Sequence, residues 1–255
     1  MPKIISIANQ KGGVGKTTSV INLSCAFALK GERTLICDLD PQAHATLGLG
    51  IDKRKISLSI YNCLIDKSKV EEAIIKDVQK NLDILPSSID LAGGEVEFLN
   101  LENRELLLKE TLAPILPRYS WVFIDCPPSL GILTIIGLAA ADSVLIPIQC
   151  EYYALEGVAR LLDTINLIKS KINPKFTIEG ILLTMYVSRL NLTKQVEQEV
   201  RKFFGKLVFN VTIPRSIRLA EAPSFSKSIF QYAKNSSGAK AYLALAEEIL
   251  NNQNK

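Results

Sequence analysis

The sequence predicts an α/β fold: a mainly parallel, twisted sheet with helices on both faces, forming one domain over residues 1–255. Three observations predict it. Strand-like and helix-like segments alternate from the N-terminus onward, as in successive βαβ units. The strand-like runs are short and almost wholly apolar, which is what a parallel sheet covered on both faces requires. The first of them, "KIISIA" (3–8), runs into a glycine-rich loop and then a stretch free of helix breakers.

Taken in order, residues 16–30 suit a helix that Gly31 ends, and "RTLICD" (33–38) reads as the second strand. Residues 40–56 are mixed and read as loop. Short helices fit 57–65 and 69–77, and "LDILPS" (82–87) is strand-like. Helical patterns follow at 89–99 and 103–115. "SWVFIDCPP" (120–128) is a buried strand stopped by two prolines, and a helix at 130–140 leads into "SVLIPIQ" (143–149). A long helix fits 153–171, and "FTIEGILLTMY" (176–186) is a strand. Leu192, Val196, Val200 and Phe203 then follow helical spacing from an Asn191 cap. "LVFNVTIP" (207–214) reads as the last strand, and 237–252 as a closing helix. No repeat, low-complexity segment or linker interrupts the series. Trp121, at the start of a buried strand, reads as core, and His44 as a surface residue.

Composition narrows the class. The chain is 47% hydrophobic and 22% charged, enough to build a sizeable core. The N-terminus is too quickly interrupted by polar residues for a signal peptide, and the longest apolar run, near 130–148, contains Gly131, Thr134, Gly137 and Asp142. The expectation is a cytoplasmic protein. Five cysteines without a C-x-x-C pair read as reduced, buried thiols, and a single histidine argues against ordinary zinc binding. Net charge is +4, but residues 189–240 alone carry +7, leaving −3 for the rest. That asymmetry suits a surface facing a polyanion. Charge alone fits a solvated helical face equally well.

The chemistry starts at "NQKGGVGKTT" (9–18). It has the ending of the phosphate-loop pattern G-x-x-x-x-G-K-[ST], but Gln10 stands where the first glycine belongs. Gly12, Gly13 and Gly15, with Val14 between them, let the backbone turn its N–H groups toward phosphates. The helix starting near Lys16 adds its positive end. Lys16 is expected at the β- and γ-phosphates, Thr17 on Mg²⁺ and Thr18 at the α-phosphate. ATP and Mg²⁺ are therefore the expected ligands. A second lysine, Lys11, needs an anion of its own.

K-G-G-x-G-K-[ST] resembles the deviant Walker A motif of the ParA/MinD family of P-loop NTPases. Three further segments, in the right order, carry the resemblance across almost the whole chain: "CDLDPQAHATLGLG" (37–50), "VFIDCPPSLG" (122–131) with "PIQCEYYALEG" (147–157), and "IPRSIRLAEAPSFSKSI" (213–229). The last is closest to Soj-type chromosomal ParA proteins. The resemblance implies a deviant Walker A P-loop NTPase fold and an ATP-dependent homodimer in which Lys11 crosses to the partner's nucleotide. It implies that Asp40 orients the attacking water, that Asp38 supports the Mg²⁺ site, and that Asp125 holds a water on the ion. The Pro127-Pro128 turn would change shape with nucleotide, and Glu151 would lie near the nucleotide or the dimer interface. Pro214, Arg215 and Ser216 would flank the base, although the family often has asparagine where Ser216 stands.

What the family does with ATP leaves three readings. DNA partitioning implies an ATP-bound dimer that coats double-stranded DNA without sequence preference, nucleoid-associated, with a ParB-like centromere-binding protein stimulating hydrolysis. Arg189 and Arg218 stand where Soj-type proteins carry DNA-contacting arginines, with Lys202, Lys227 and Lys240 as further candidates. A MinD-like positioning ATPase on a membrane or protein scaffold is the alternative, but the tail "ALAEEILNNQNK" lacks a basic amphipathic helix, so no membrane partner is expected. A nitrogenase-type iron protein would need cluster cysteines, and Cys126 and Cys150 do not match their spacing.

Overall fold

The computed structural model describes residues 2–151 and 156–253. Its elements run β1 (Lys3–Ile7), α1 (Lys16–Leu29), β2 (Thr34–Asp38), α2 (His44–Gly48), α3 (Ile60–Ile65), α4 (Val70–Ala73), β3 (Ile75–Gln79), β4 (Leu82–Leu85), α5 (Asp90–Phe98), α6 (Leu107–Leu112), β5 (Trp121–Asp125), α7 (Ile132–Ala140), β6 (Ser143–Gln149), α8 (Glu156–Lys171), β7 (Thr177–Thr184), α9 (Asn191–Phe204), α10 (Ile217–Glu221), α11 (Ile229–Ala233) and α12 (Ser237–Gln253). The seven strands form one sheet in the order β3-β4-β2-β5-β1-β6-β7, and every pairing except β3 with β4 is parallel.

Two apolar cores sit on the two faces of this sheet. One packs α1, α11 and α12 against the sheet, and the other packs α3, α5, α6, α7, α8 and α9. Strands β2, β4 and β5 are buried along their whole length, as their unbroken apolar runs require. Trp121 is core: its ring lies 4.5 Å from Phe27 and stacks at 6.3 Å on Phe123. All five cysteines are buried free thiols.

Four expectations need correction. Residues 40–56 are not plain loop: α2 and a short 3₁₀ turn at Lys53–Lys55 lie there. The helix expected over 69–77 stops at Ala73, and Ile75–Gln79 becomes β3, an antiparallel edge strand that returns through Asn81 at φ 67°. Asparagine is one of the few residues that tolerates that conformation, so "KNLD" is a hairpin signal inside a helical-looking stretch. The strand expected over 207–214 makes only isolated bridges, Ile181 with Val208 and Tyr186 with Pro214. The N–H groups of Asn210 and Val211 turn instead to the Glu248 carboxylate on α12, at 2.8 and 3.0 Å. Finally, Asn191 does not cap α9. Leu190 occupies that position and no side chain caps the helix. Residues 153–155 of the expected long helix lie outside the described residues.

Candidate functional site

The carboxyl ends of the central strands meet at one place. β1 leads into the glycine loop, β2 ends in Asp38, β5 ends in Asp125, and Asp38 and Asp125 are direct neighbours across the β2–β5 ladder. A cleft of about 640 Å³ opens there, lined by Gly12, Gly13, Gly15, Lys16, Thr17 and Thr18 on one side. Asp40, Gln42, His44 and the turn at Ala222–Ser224 line the other, with Pro128 and Met185 between. A second recess of about 370 Å³ shares Gly15, Thr18 and Met185 with it and is walled by Pro214, Arg215 and Ser216.

The loop is held open by its own chain. Gly13 and Gly15 lie at φ 76° and 90°, where a side chain would strain the backbone. Gly15 is the N-cap of α1, no side chain caps that helix, and no acidic residue lies in its first turn. Its leading N–H groups therefore point at the cleft without a protein partner, the arrangement that binds anions. Two side chains brace the loop from behind. Asn9 donates to the Pro147 carbonyl at 2.7 Å and accepts from the Lys11 N–H at 2.9 Å. Thr184, at the end of β7, donates to the Val14 carbonyl at 2.8 Å. Val14 itself is buried behind the loop and does not line the cleft. Sequence reading gave Asn9 and Thr184 no role. Their signal is position, a hydrogen-bonding residue at the end of a buried strand beside a glycine loop.

Lys16 is 7% exposed, and its ammonium donates to the Lys11 carbonyl at 3.1 Å. Burial lowers its pKa, while Asp125, Cys126 and Asp40 pull the other way. The two strand-end aspartates differ sharply. Asp38 is satisfied: Oδ2 accepts from the Thr46 N–H at 2.8 Å and hydroxyl at 2.7 Å, and Oδ1 accepts from the Asp40 N–H at 3.3 Å. Burial pushes its carboxyl up to about 6 despite those donors. Asp125 is fully buried, and neither carboxylate oxygen has a hydrogen bond of normal geometry among the described residues. Its pKa is raised well above the carboxylate range, first by burial and then by Asp38, with the Thr17 hydroxyl and Lys16 offsetting part of this. A fully buried, unpartnered carboxylate beside a threonine hydroxyl is what a divalent cation or its water shell satisfies. Asp38, by contrast, braces the α2 loop through Thr46 while lying directly beside Asp125 across the ladder, as a residue supporting the site from behind would. Thr46 is the residue that sequence reading missed there.

The remaining expected residues separate into those at the cleft and those away from it. Asp40 is nearly buried at the cleft, its Oδ1 accepting from the Gln42 N–H at 2.9 Å. Lys11 does not line the cleft. Its ammonium pairs with Glu151 at 3.1 Å, both half-exposed, so Glu151 meets the second lysine rather than the phosphate side of the cleft. Arg189, Lys202, Arg218 and Lys240 are exposed and make no ion pair among the described residues. Lys227 is exposed as well, but it lines the cleft beside Ser224. Of the basic residues in 189–240, only Arg201 is paired there, to Glu197 at 2.8 Å. Cys126 and Cys150 are buried with thiols pushed up to about 12, and among the described residues no group of three or more His, Cys, Asp or Glu side chains is placed to hold a metal ion.

Sheet order, glycine loop and facing strand-end aspartates define a P-loop nucleotide-binding protein of the deviant Walker A type. The family described as "AAA domain" matches residues 2–178. The chain is 50% identical over 248 residues to the chromosome partitioning protein ParA of Myxococcus xanthus, spanning 97% of this chain and 88% of that protein. It is 49% identical over 252 residues to the sporulation initiation inhibitor protein Soj of Bacillus subtilis, spanning 99% and 100%. The chain belongs to the ParA/Soj family. Among solved structures, it resembles one described as cobyrinic acid a,c-diamide synthase from Mycobacterium smegmatis with bound ADP and magnesium, at TM-score 0.89 and 36% identity over 100% of this chain and 96% of that one. That description names a reaction of a different class, so the likeness carries the fold and the loop.

Proposed function

We propose that the protein is a Mg²⁺-dependent ATPase that works as a dimerising switch for DNA partitioning. The observation that carries this reading is that buried Lys16 and Thr17 line one cleft under the free end of α1, with the fully buried, unpartnered Asp125 directly behind them. In this reading the α1 N–H groups and Lys16 bind the phosphates, Thr18 adds a hydroxyl, and the recess between Met185 and Ser216 takes the base. Thr17 and Asp125 hold Mg²⁺ and its waters. When bound, the ion supplies charge neutralisation at the transferring phosphoryl group. Asp40 accepts a hydrogen bond from the attacking water and positions it in line. Catalysis then rests on positioning and on charges fixed in advance. Lys11 leaves Glu151 and reaches the partner subunit's nucleotide, much as an arginine finger does. The bridge it gives up is half-exposed, so the release costs at most about 1 kcal/mol. An amide-forming role has less support, because releasing ammonia from glutamine normally uses a reactive thiolate.

DNA is the proposed target because 189–240 carries +7 with one ion pair among the described residues, and unpaired cations supply sequence-independent affinity for phosphates. A ParB-like centromere-binding protein is the proposed stimulating partner. A membrane scaffold is disfavoured. α12 carries Glu247 and Glu248, which an anionic membrane surface would repel. The test is binding to random-sequence duplex DNA across a salt series, with ATP and with ADP. The reading expects ATP-dependent, steeply salt-sensitive binding that Asp40→Ala retains and Lys11→Ala loses. Absence of DNA binding in every nucleotide state would remove the partition assignment and leave an ATPase with another scaffold.

A further inference from the structure

Helix α5 carries two apolar faces, and the fold uses only one. Leu91, Gly94 and Phe98 are buried against the core. On the other side Ile89, Ala92, Val96 and Leu99 recur at the 3-4-3 spacing of a coiled-coil seam, and this seam faces solvent. Ile89, Val96 and Leu99 are 64%, 68% and 52% exposed. Single exposed apolar residues are ordinary, but a seam at heptad spacing is not. The backbone is helical from Ile89 through Leu99, giving a contact about 16 Å long.

The charge around the seam selects the occupant. Residues 89–103 contain Asp90, Glu95, Glu97 and Glu102 and no lysine or arginine. Arg104, at the C-terminal end of the seam, donates to the Leu99 carbonyl at 2.6 Å and pairs with Glu105, and Glu97 accepts from the Tyr61 hydroxyl at 3.1 Å, so the carboxylates outnumber the one cation. None of the four makes an ion pair among the described residues. Glu95 flanks the seam directly, while Gly93 leaves open space on the opposite flank. We propose that the Ile89–Ala92–Val96–Leu99 seam docks a basic amphipathic helix of a partner protein, with apolar residues at its own a and d positions and lysine or arginine beside them. Two copies of this chain meeting here would set carboxylates against carboxylates. An anionic membrane would be repelled by the same groups. The surface also lies one loop from the nucleotide cleft. Ser88 bonds Ser59 at 3.0 Å and Asp90 at 3.2 Å, and the Ser87 N–H donates to Thr46, whose hydroxyl holds Asp38. Docking itself does not depend on the ATPase reading.

The test uses the full chain and a labelled synthetic helix of about 20 residues with leucine at a and d and lysine at e and g, followed by fluorescence anisotropy. A copy with glutamate at e and g is the control. The lysine helix should bind, and the glutamate helix should not. Val96→Asp should weaken binding at least about tenfold, and Val96→Ala by less. Glu95→Lys with Glu97→Lys and Glu102→Lys should exchange the preference for the two helices. Val96, Glu97 and Glu102 are exposed and Glu95 is half-buried, and the one bond lost is the exposed Tyr61–Glu97 contact, so melting temperature should stay near that of the parent chain, and the Val96→Ala and charge-reversal arms keep the test valid if Val96→Asp misfolds. Equal binding by parent and variants would overturn the proposal. So would a concentration-dependent dimer that Val96→Asp dissolves, because the seam would then be a self-interface. Seam-dependent binding to phosphatidylglycerol-containing vesicles would overturn it as well.

Discussion

Asp38 and Asp125 end neighbouring strands, face each other across one ladder and are equally buried. The sequence presents them alike, as an apolar run closed by aspartate. The fold gives them opposite circumstances. Asp38 has three donors, two of them from Thr46, and so fixes the loop that carries Asp40. Asp125 has none of normal geometry among the described residues and borders the cleft residues Thr17 and Lys16. A buried carboxylate with both oxygens engaged is structure. One with none engaged is a destabilising element that persists because something else satisfies it. The comparison teaches that two aspartates closing neighbouring strands in the same way can be left in opposite hydrogen-bonding circumstances by a residue eight positions beyond one of them.

The strongest way to break this contrast is in ATP turnover. Asp125→Asn should lower Mg²⁺-dependent hydrolysis by about 100-fold or more, as expected when a group that holds the metal shell is lost. Steady-state phosphate release measures it. The same substitution should stabilise the ligand-free protein by about 1–3 kcal/mol near neutral pH, because it removes a buried carboxyl whose ionised form the site disfavours and which lacks a hydrogen bond of normal geometry. Thr46→Val should move stability the other way by a similar amount, about 1–3 kcal/mol, since it strips a donor from Asp38 and the acceptor of the Ser87 N–H. Thr46→Ser should restore most of it. Urea midpoints of the ligand-free proteins decide both.

A pH series sharpens the comparison. Both folded-state pKa values lie above those of the unfolded chain, Asp38 at about 6 and Asp125 well above the ordinary range. A raised folded pKa means that the native state binds more protons, so the stabilisation is present below the unfolded pKa, about 4, and is lost as pH rises through the folded one. The stability gap between Asp125→Asn and the parent should therefore widen from pH 5 toward pH 8, as an order-of-magnitude window about those pKa values. A constant gap would mean that Asp125 finds a partner in solution. The smallest effect belongs to Lys11→Ala. Its half-exposed bridge to Glu151 is worth at most about 1 kcal/mol, so the melting temperature should barely move while ATP-dependent dimer formation is lost.

Much of this was legible in the sequence because it is local. The glycine loop, the helix behind it and the apolar strands are each set by neighbours within a few residues, and their ends fall within three residues of expectation. What the sequence hid depends on distant side chains. Glu248 draws the N–H groups of 210 and 211 away from a strand ladder, and Thr46 claims Asp38 from eight positions away. Lys227 appears as one more cation in a basic run, yet the turn after Ala222 brings it to the cleft. The α5 seam was readable as a 3-4-3 pattern, but which apolar face would be buried was not, because that depends on where α3 and α7 lie.

The most direct test is the gain in melting temperature on adding ATP with Mg²⁺, measured against ATP with EDTA, for the parent, Asp125→Asn and Asp38→Asn. If Asp125 is the metal-side group and Asp38 the brace, the parent gains stability from Mg²⁺. Asp38→Asn should start lower but keep most of that gain, and Asp125→Asn should start higher and lose it. A full Mg²⁺-dependent gain in Asp125→Asn, with the gain lost in Asp38→Asn, would contradict the account and return the metal to Asp38.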